Sequence, residues 1–331
     1  MDYSSLPKVE LHLHLDCSVS FSVARQLKPG LSLKAYEEEF IAPPKCKDLA
    51  DFLKRAVKGF ELLQSREALR LSTLDLLQQL ERENVVYTEI RFAPLLHTQQ
   101  GLAPEAVVET VLEALKEGQA TYGLHANLIL CTLRRFSAGQ SMATARLAER
   151  YHGQGVAGFD IAGDEANYEL APHIPAFQYV HEKGVPATAH AGEARGPESV
   201  RESVQHLHLS RIGHGVRVTE DPWLMDEIRA SGLHLEICPT SNIQTDIYPA
   251  MPDHAVHQLL QEGFPLSINT DGRTLVNVSL SEEYRRIGHA FHWSPDQYRA
   301  TLEAAINAAF TTETIKAGLL SQIREAWGDG S

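Results

Sequence analysis

The stretch that decides the fold is Val9-Glu10-Leu11-His12-Leu13-His14-Leu15-Asp16. Side chains alternate between the two faces of a strand. A strand over 9–16 therefore turns Leu11, Leu13 and Leu15 one way and His12, His14 and Asp16 the other. Two imidazoles two residues apart on a rigid strand grip one metal ion from one direction. Neutral imidazole nitrogen suits zinc and, to a lesser degree, iron or nickel. A lone His-x-His reads equally well as two solvated surface histidines. Here the opposite face is all leucine, and the test is whether later strands end in residues that complete a site.

Working outward, residues 17–66 form a long excursion. Its second half, Asp48 to Phe60, has helical spacing of apolar residues after the irregular joint Ile41-Ala42-Pro43-Pro44. Leu49, Phe52, Leu53 and Ala56 share one face of that helix, as a pocket wall or as ordinary packing. The region at about 30–66 reads as a helical lid insertion. Further strand candidates follow at 85–92, 124–133, 156–162, 186–190, 211–215, 234–238 and 265–270, nearly all separated by helical segments. Regular alternation implies parallel strands with right-handed crossovers. Eight such units predict an α/β fold, a (β/α)8 TIM barrel with additional helices, forming a single domain over 1–331. An open doubly wound sheet is the alternative. The lack of a Gly-x-Gly-x-x-Gly after the first strand speaks against dinucleotide binding.

The totals narrow the partners. The 331 residues are 43% hydrophobic and 22% charged, enough for a substantial core. A formal net charge of -13 argues against nucleic acid or an anionic membrane as main partner, both of which need a basic footprint. No stretch reads as a membrane span or signal, so the expected home is the cytoplasm. Cys17, Cys46, Cys131 and Cys238 are too scattered for a disulfide framework or a Cys-rich zinc knuckle.

Barrel active sites lie at the C-terminal ends of the strands. Those ends carry His12, His14 and Asp16; Gly163 and Asp164; His190 and Glu193; His214; and Asp271. Singly, each has a bland reading: a His before a Gly can close a strand, and a Thr-Asp pair can cap a helix. Together they have the outfit of metal-assisted hydrolysis. His12, His14, His190 and Asp271 make a good zinc site that still admits water. Glu193 lies close enough to exchange protons, and His214 is placed to orient the water or act as a base.

The motifs His12-Leu13-His14-Leu15-Asp16, Phe159 to Glu165, His190-Ala191-Gly192-Glu193, Arg211-Ile212-Gly213-His214-Gly215, Cys238-Pro239-Thr240-Ser241-Asn242 and Asn269-Thr270-Asp271 resemble the adenosine deaminases in order and spacing. The resemblance spans nearly the whole chain. The His-x-Glu and Pro-Cys-x-x-Cys signature of the smaller cytidine-deaminase type is lacking. The resemblance implies one Zn2+ held by His12, His14, His190 and Asp271. It also implies hydrolytic deamination of adenosine or 2'-deoxyadenosine to the inosine compound plus ammonia. In that scheme Glu193 protonates purine N1, water activated at the metal attacks C6 with help from His214 and Asp271, Gly163 approaches N3, and Asp16 accepts from a ribose hydroxyl. His14 is expected to face substrate as well as metal.

Two positions depart from the family pattern. Cys17 stands where many members have Gly, and it is expected to turn to the opposite strand face and pack. Gly272 and Arg273 stand where many have a second acid followed by Pro. That acid is the one the family uses on purine N7, so the departure opens alternatives: 6-aminodeoxyfutalosine or an N6-methylated adenine compound as substrate. A non-catalytic nucleoside-binding relative predicts loss of a ligand or of the acid, and all are present. A two-metal amidohydrolase predicts a strand-end Lys, and none is apparent.

Overall fold

The computed structural model describes residues 2–328, so the two ends of the expected 1–331 domain lie outside the described residues. Eight strands run in chain order: β1 (Lys8–His14), β2 (Val85–Phe92), β3 (His125–Leu133), β4 (Val156–Ala162), β5 (His190–Ala191), β6 (Arg211–His214), β7 (His234–Ile237) and β8 (Leu266–Ile268). All pairs are parallel, in two runs of four, β1 to β4 and β5 to β8. Backbone bonds join the runs. At one seam Phe159 N–H donates to Pro186 O and Thr188 N–H to Phe159 O, both at 3.0 Å. At the other, His14 N–H donates to Asp271 O at 2.7 Å and Asp271 N–H to His12 O at 3.1 Å. The sheet therefore closes as a (β/α)8 barrel, and the open-sheet alternative falls.

Strand limits differ from expectation mostly in the second run. The strand expected at 186–190 is observed only as His190–Ala191; Pro186 has no amide to donate. β7 stops at Ile237 because Cys238 caps the helix Pro239–Gln244. β8 stops at Ile268 because the Asn269 side chain takes over the ladder: its Oδ1 accepts the Leu11 and His12 amides at 2.8 and 3.1 Å. β1 ends at His14, so Asp16 and Cys17 lie in a turn.

The excursion after β1 holds three helices where one was expected: Phe21–Leu27, Leu33–Phe40 and Leu49–Leu62. Ser20, Ser32 and Asp48 cap them, each accepting a backbone N–H three residues on. The third helix settles directly on the first strand's turn. A Cβ at Gly59 would lie 1.7 Å from the Asp16 carbonyl oxygen.

Leu11 and Leu13 face outward into the main hydrophobic core and are fully buried. The barrel interior is charged. Arg91 bonds Asp160 at 3.0 Å and Glu236 at 2.7 Å; Arg211 bonds Glu236 at 2.7 Å and pairs with Glu89. All five side chains are excluded from water. Such a network is costly to desolvate and costly to break by removing one member. Among the described residues no helix is long and apolar enough to cross a membrane.

Candidate active site

A cavity of about 500 Å³ opens at the C-terminal ends of the strands. His14, Asp16, Cys17, Gly163, Asp164, His190, Glu193, His214 and Asp271 all line it. A larger groove, about 1120 Å³, lies at the opposite end, where strands begin, among residues such as Val156 of β4 and His234 of β7, away from this cluster.

Ring nitrogens and one carboxylate converge at the floor. Nε2 of His14 lies 3.1 Å from Nε2 of His190, and Oδ1 of Asp271 lies 3.5 Å from His12 Nε2 and 3.4 Å from His14 Nε2. The edges of a tetrahedral shell with bonds near 2.1 Å are about 3.4 Å. His12 Nε2 is buried without a hydrogen-bond partner. Facing nitrogens and an orphaned one in a buried pocket are what a cation would satisfy, so these residues fit a metal.

On proximity alone the choice of ligands is open, because His12, His190, His214 and Asp271 also offer donor atoms all within 4.8 Å of one another. The tautomers of these histidines differ. His12 Nδ1 lies 2.8 Å from Glu236, and His190 Nδ1 lies 3.2 Å from Asp160. Arg91 holds both carboxyls below their ordinary range against the opposing effect of burial, with His190 the larger influence at Asp160. Each imidazole therefore donates its Nδ1 proton and turns a lone pair on Nε2 inward, the usual arrangement behind a metal ligand. His214 is oriented the other way. His254 Nδ1 accepts the Val256 amide at 2.9 Å, so its proton sits on Nε2 and goes to Asn242 Oδ1 at 3.1 Å. That fixes the Asn242 amide, whose NH2 faces His214 Nδ1 at 3.0 Å. Burial, then the nearby His12, holds His214 well below the ordinary histidine value and hence neutral. Its remaining proton is on Nε2, which points into the cavity and lies 3.7 Å from Glu193. His214 is a donor there, whereas burial holds His14 at about 3, an unprotonated imidazole with nitrogen to offer.

Glu193 is aimed by Glu165. The Glu165 carboxylate accepts the amides of Gly192, Glu193, Ala194 and Arg195 at 2.7 to 3.1 Å and the Ser199 hydroxyl. Burial, then the negative charges of Asp271 and Glu165, push the Glu193 carboxyl well above its ordinary value. Its Oε1 is buried and unpartnered. Asp271 is turned by Ser241, whose hydroxyl donates to Oδ2 at 2.7 Å. Backbone strain collects here: His214 and Asp271 are non-glycine residues at φ of 60° and 65°.

The other expected residues divide. Asp16 is buried at the cavity wall, 3.7 Å from His97. Gly163 has φ +97°, and a Cβ there meets nothing closer than 3.7 Å, so conformation requires the glycine. Asp164 accepts the Ala166 and Asn167 amides and builds a turn. The helix Leu49–Leu62 realises both readings. Leu49, Phe52, Leu53 and Ala56 line the cavity and also pack with Leu275, Val276 and Val278. Cys17 packs in that same cluster but lines the cavity as well; the opposite-face expectation fails because β1 has already ended. Arg273 leaves the cavity, with Nε donating to Gln79 and its guanidinium pairing with Glu83.

Sequence reasoning missed Asp160, Glu236, Asn242, His254, Glu165 and Ser241. Asp160 and Glu236 were visible as lone charges inside apolar strands.

The profile of the adenosine deaminase family matches residues 7–326. The chain belongs to the adenosine deaminase family. It is 34% identical over 327 residues to an adenosine deaminase of Clostridium acetobutylicum, covering 96% of this chain and 97% of the relative. It is 32% identical to that of Vibrio vulnificus, covering 97% and 99%. The structure of an Arabidopsis N6-mAMP deaminase superposes with a TM-score of 0.88 at 26% identity, over 98% and 99% of the chains. An adenine deaminase of Arthrobacter aurescens, at 23% identity and a TM-score of 0.89 over 97% and 99%, shares the fold. This member of the adenosine deaminase family is thus a metal-dependent hydrolase acting on a C–N bond.

Proposed function

We propose that this chain hydrolyses the 6-amino group of adenosine and 2'-deoxyadenosine, using one zinc ion held by His12, His14, His190 and Asp271 in a single barrel domain. Three imidazoles and one carboxylate suit zinc among the divalent metals. When bound, the metal lowers the pKa of water toward neutrality and so supplies a nucleophile. The observation that carries the reading is the opposition of two proton donors around that cluster, the Glu193 carboxyl and the His214 Nε2–H.

An aromatic amine leaves only after the ring loses aromaticity. Glu193, kept protonated by burial, delivers its proton to purine N1 and makes C6 electrophilic. His214, as an Nε2–H donor, holds the oxygen of the attacking water and steadies its developing charge. Asp271 accepts the proton that water gives up on forming the C6–O bond. That proton goes to the departing nitrogen as the C6–N bond breaks; the C6 hydroxyl then gives up its proton as C6=O forms, which restores the Glu193 carboxyl, and N1 keeps the proton it received, so the products are the 6-oxo nucleoside and ammonia. Asp16 accepts from a ribose hydroxyl, and the Gly163 backbone lies against N3. The helix Leu49–Leu62 covers the ring and excludes bulk water.

The test is an absorbance assay on a panel of adenine nucleosides, with metal analysis on the same sample. Turnover of adenosine with one zinc per chain is expected; a zinc-loaded chain inert toward every adenine nucleoside rejects the reading. The panel includes AMP and N6-methyl-AMP, because the Arabidopsis relative is an N6-mAMP deaminase and Lys54 and Arg135 line this cavity. It also includes 6-aminodeoxyfutalosine.

A further inference from the structure

Cys17 and Gly272 follow two cavity residues, Asp16 and Asp271, that come from opposite ends of the chain. In space the two positions collide. A Cβ built on Gly272 lies 2.5 Å from the Cys17 Cβ, a separation no pair of side chains adopts. The backbone of Gly272 is not in the left-handed region. Its conformation would accept any residue, and the neighbour alone forbids one. Retreat is blocked as well. The amides of Thr274 and Leu275 both donate to the Cys17 carbonyl at 3.0 Å, and the Arg273 amide donates to Ser18 Oγ at 3.2 Å. The strap after β8 is thus bonded to the turn after β1. With the Cys17 side chain removed, the nearest atoms to a Cβ at 272 are the Cys17 carbonyl oxygen at 3.1 Å and the Leu275 Cβ at 3.4 Å. Those contacts are tight but relieved by a small shift.

We propose that positions 17 and 272 form one steric unit in which only one residue can carry a side chain, and that Cys17 supplies the cavity wall beside Asp271. The consequence is chemical. A carboxyl at 272 is sterically excluded, and the wall presents a thiol, which is a weak hydrogen-bond donor. In the closed barrel the β8–β1 seam lies across the mouth from β5, whose following loop carries Glu193. With purine N1 at Glu193, the five-membered ring falls toward Cys17. The enzyme therefore gains little from an acceptor nitrogen at ring position 7, because a thiol donates only weakly. This substrate preference rests on the deamination reading above; the steric pairing does not.

The experiment is a cycle of four proteins: wild type, Cys17→Gly, Gly272→Asp and the double variant. Each is melted, and each is assayed with adenosine and 7-deazaadenosine. Gly272→Asp alone is expected to lower Tm and to cut kcat/KM for both substrates. Adding Cys17→Gly is expected to restore most of both, a coupling typical of residues in contact. Wild type is expected to separate the two substrates by less than about 10-fold, and the double variant by on the order of 100-fold, since its acid would be left unpaired by the deaza ring. Gly272→Ala, with the same clash carried by one carbon, gives the melting cycle should the Asp variant fail to fold. Tm losses that simply add across the cycle overturn the pairing. A wild type that rejects 7-deazaadenosine as strongly as the double variant overturns the substrate preference. Failure of every adenine nucleoside overturns the function, while the melting cycle, read without turnover, still decides the pairing.

Discussion

The two halves of the barrel are built differently. β1 to β4 are 7, 8, 9 and 7 residues long; β5 to β8 are 2, 4, 4 and 3. The long half supplies His12 and His14 from within strand β1, and Arg91 and Asp160 as buried charges beneath them. The short half supplies Glu193, His214 and Asp271 from where its ladders end: His214 is the last residue of β6, Glu193 and Asp271 lie beyond β5 and β8, and His214 and Asp271 are at positive φ. Each such position costs on the order of 1–3 kcal/mol and survives only when its surroundings dictate it. A ladder bond fixes direction along the strand, so a residue that must turn across the barrel mouth needs the ladder to stop first. Side chains replace it: Asn269 for β8, Glu165 for the loop after β5, Asn242 for His214.

The comparison breaks most sharply at Glu193. Glu193→Gln is expected to keep the metal and fold while turnover falls by on the order of 1,000-fold. Because burial, Asp271 and Glu165 raise this carboxyl, the protonated form is the working one. In wild type, kcat/KM therefore declines as pH rises through its pKa. A Gln variant with full activity, or activity that climbs through that range, removes Glu193 as the acid.

A change in the long half should act through the metal instead. Asp160→Asn keeps size but loses the charge that draws the His190 Nδ1 proton, and its amide can donate in return, placing the proton on Nε2. Metal affinity is expected to fall by about 10–100-fold, with activity restored by excess zinc. Unchanged affinity by metal titration would show that His190 needs no such partner.

These two sites also mark what was legible beforehand. The alternation of apolar strands and amphipathic helices gave the barrel, because that pattern is a local property of the chain. His12, His190 and Asp271 stood out because reactive side chains ended several strands. The tautomer of His214 was out of reach. It depends on Asn242, His254 and the Val256 amide, three groups whose meeting is set only by closure of the barrel. The short helices Phe21–Leu27 and Leu33–Phe40 escaped for the opposite reason: Ser20 and Ser32 are ordinary caps, but two turns hold too few apolar positions to show a period. Cys17 was assigned by extending β1 three residues too far.

The helix Leu49–Leu62 sharpens the contrast, since it rests on the turn after β1 in the long half. Gly59→Ala would press a methyl group into the Asp16 carbonyl. The helix Leu49–Leu62 must lift or the turn must sink, moving both Phe52 and Asp16. A loss of about 10-fold in kcat/KM is expected, mostly in KM, with the metal retained. Equal kinetics and Tm in this variant would show that the helix does not rest on the turn.

The smallest effect on turnover is expected at Glu283, on the helix Leu280–Phe291 that follows β8. Its Oε1 accepts the Thr240 amide at 3.0 Å, holding the start of the helix after β7, and its other oxygen is buried without a partner. Burial raises its pKa to about 7. Below about 4.5 the carboxyl is protonated in both folded and unfolded chains. Between about 4.5 and 7 the unfolded chain releases the proton and the folded chain keeps it, so this group makes stability fall as pH rises through that window. Glu283→Gln keeps an acceptor for Thr240 and cannot ionise. Its Tm is expected to match wild type near pH 4.5 and exceed it at pH 7.5, by no more than about 3 kcal/mol in stability, with kcat within about twofold. Parallel melting curves for the two proteins across that range would mean that Glu283 folds ionised, and that the short half holds this helix by charge as the long half holds its histidines.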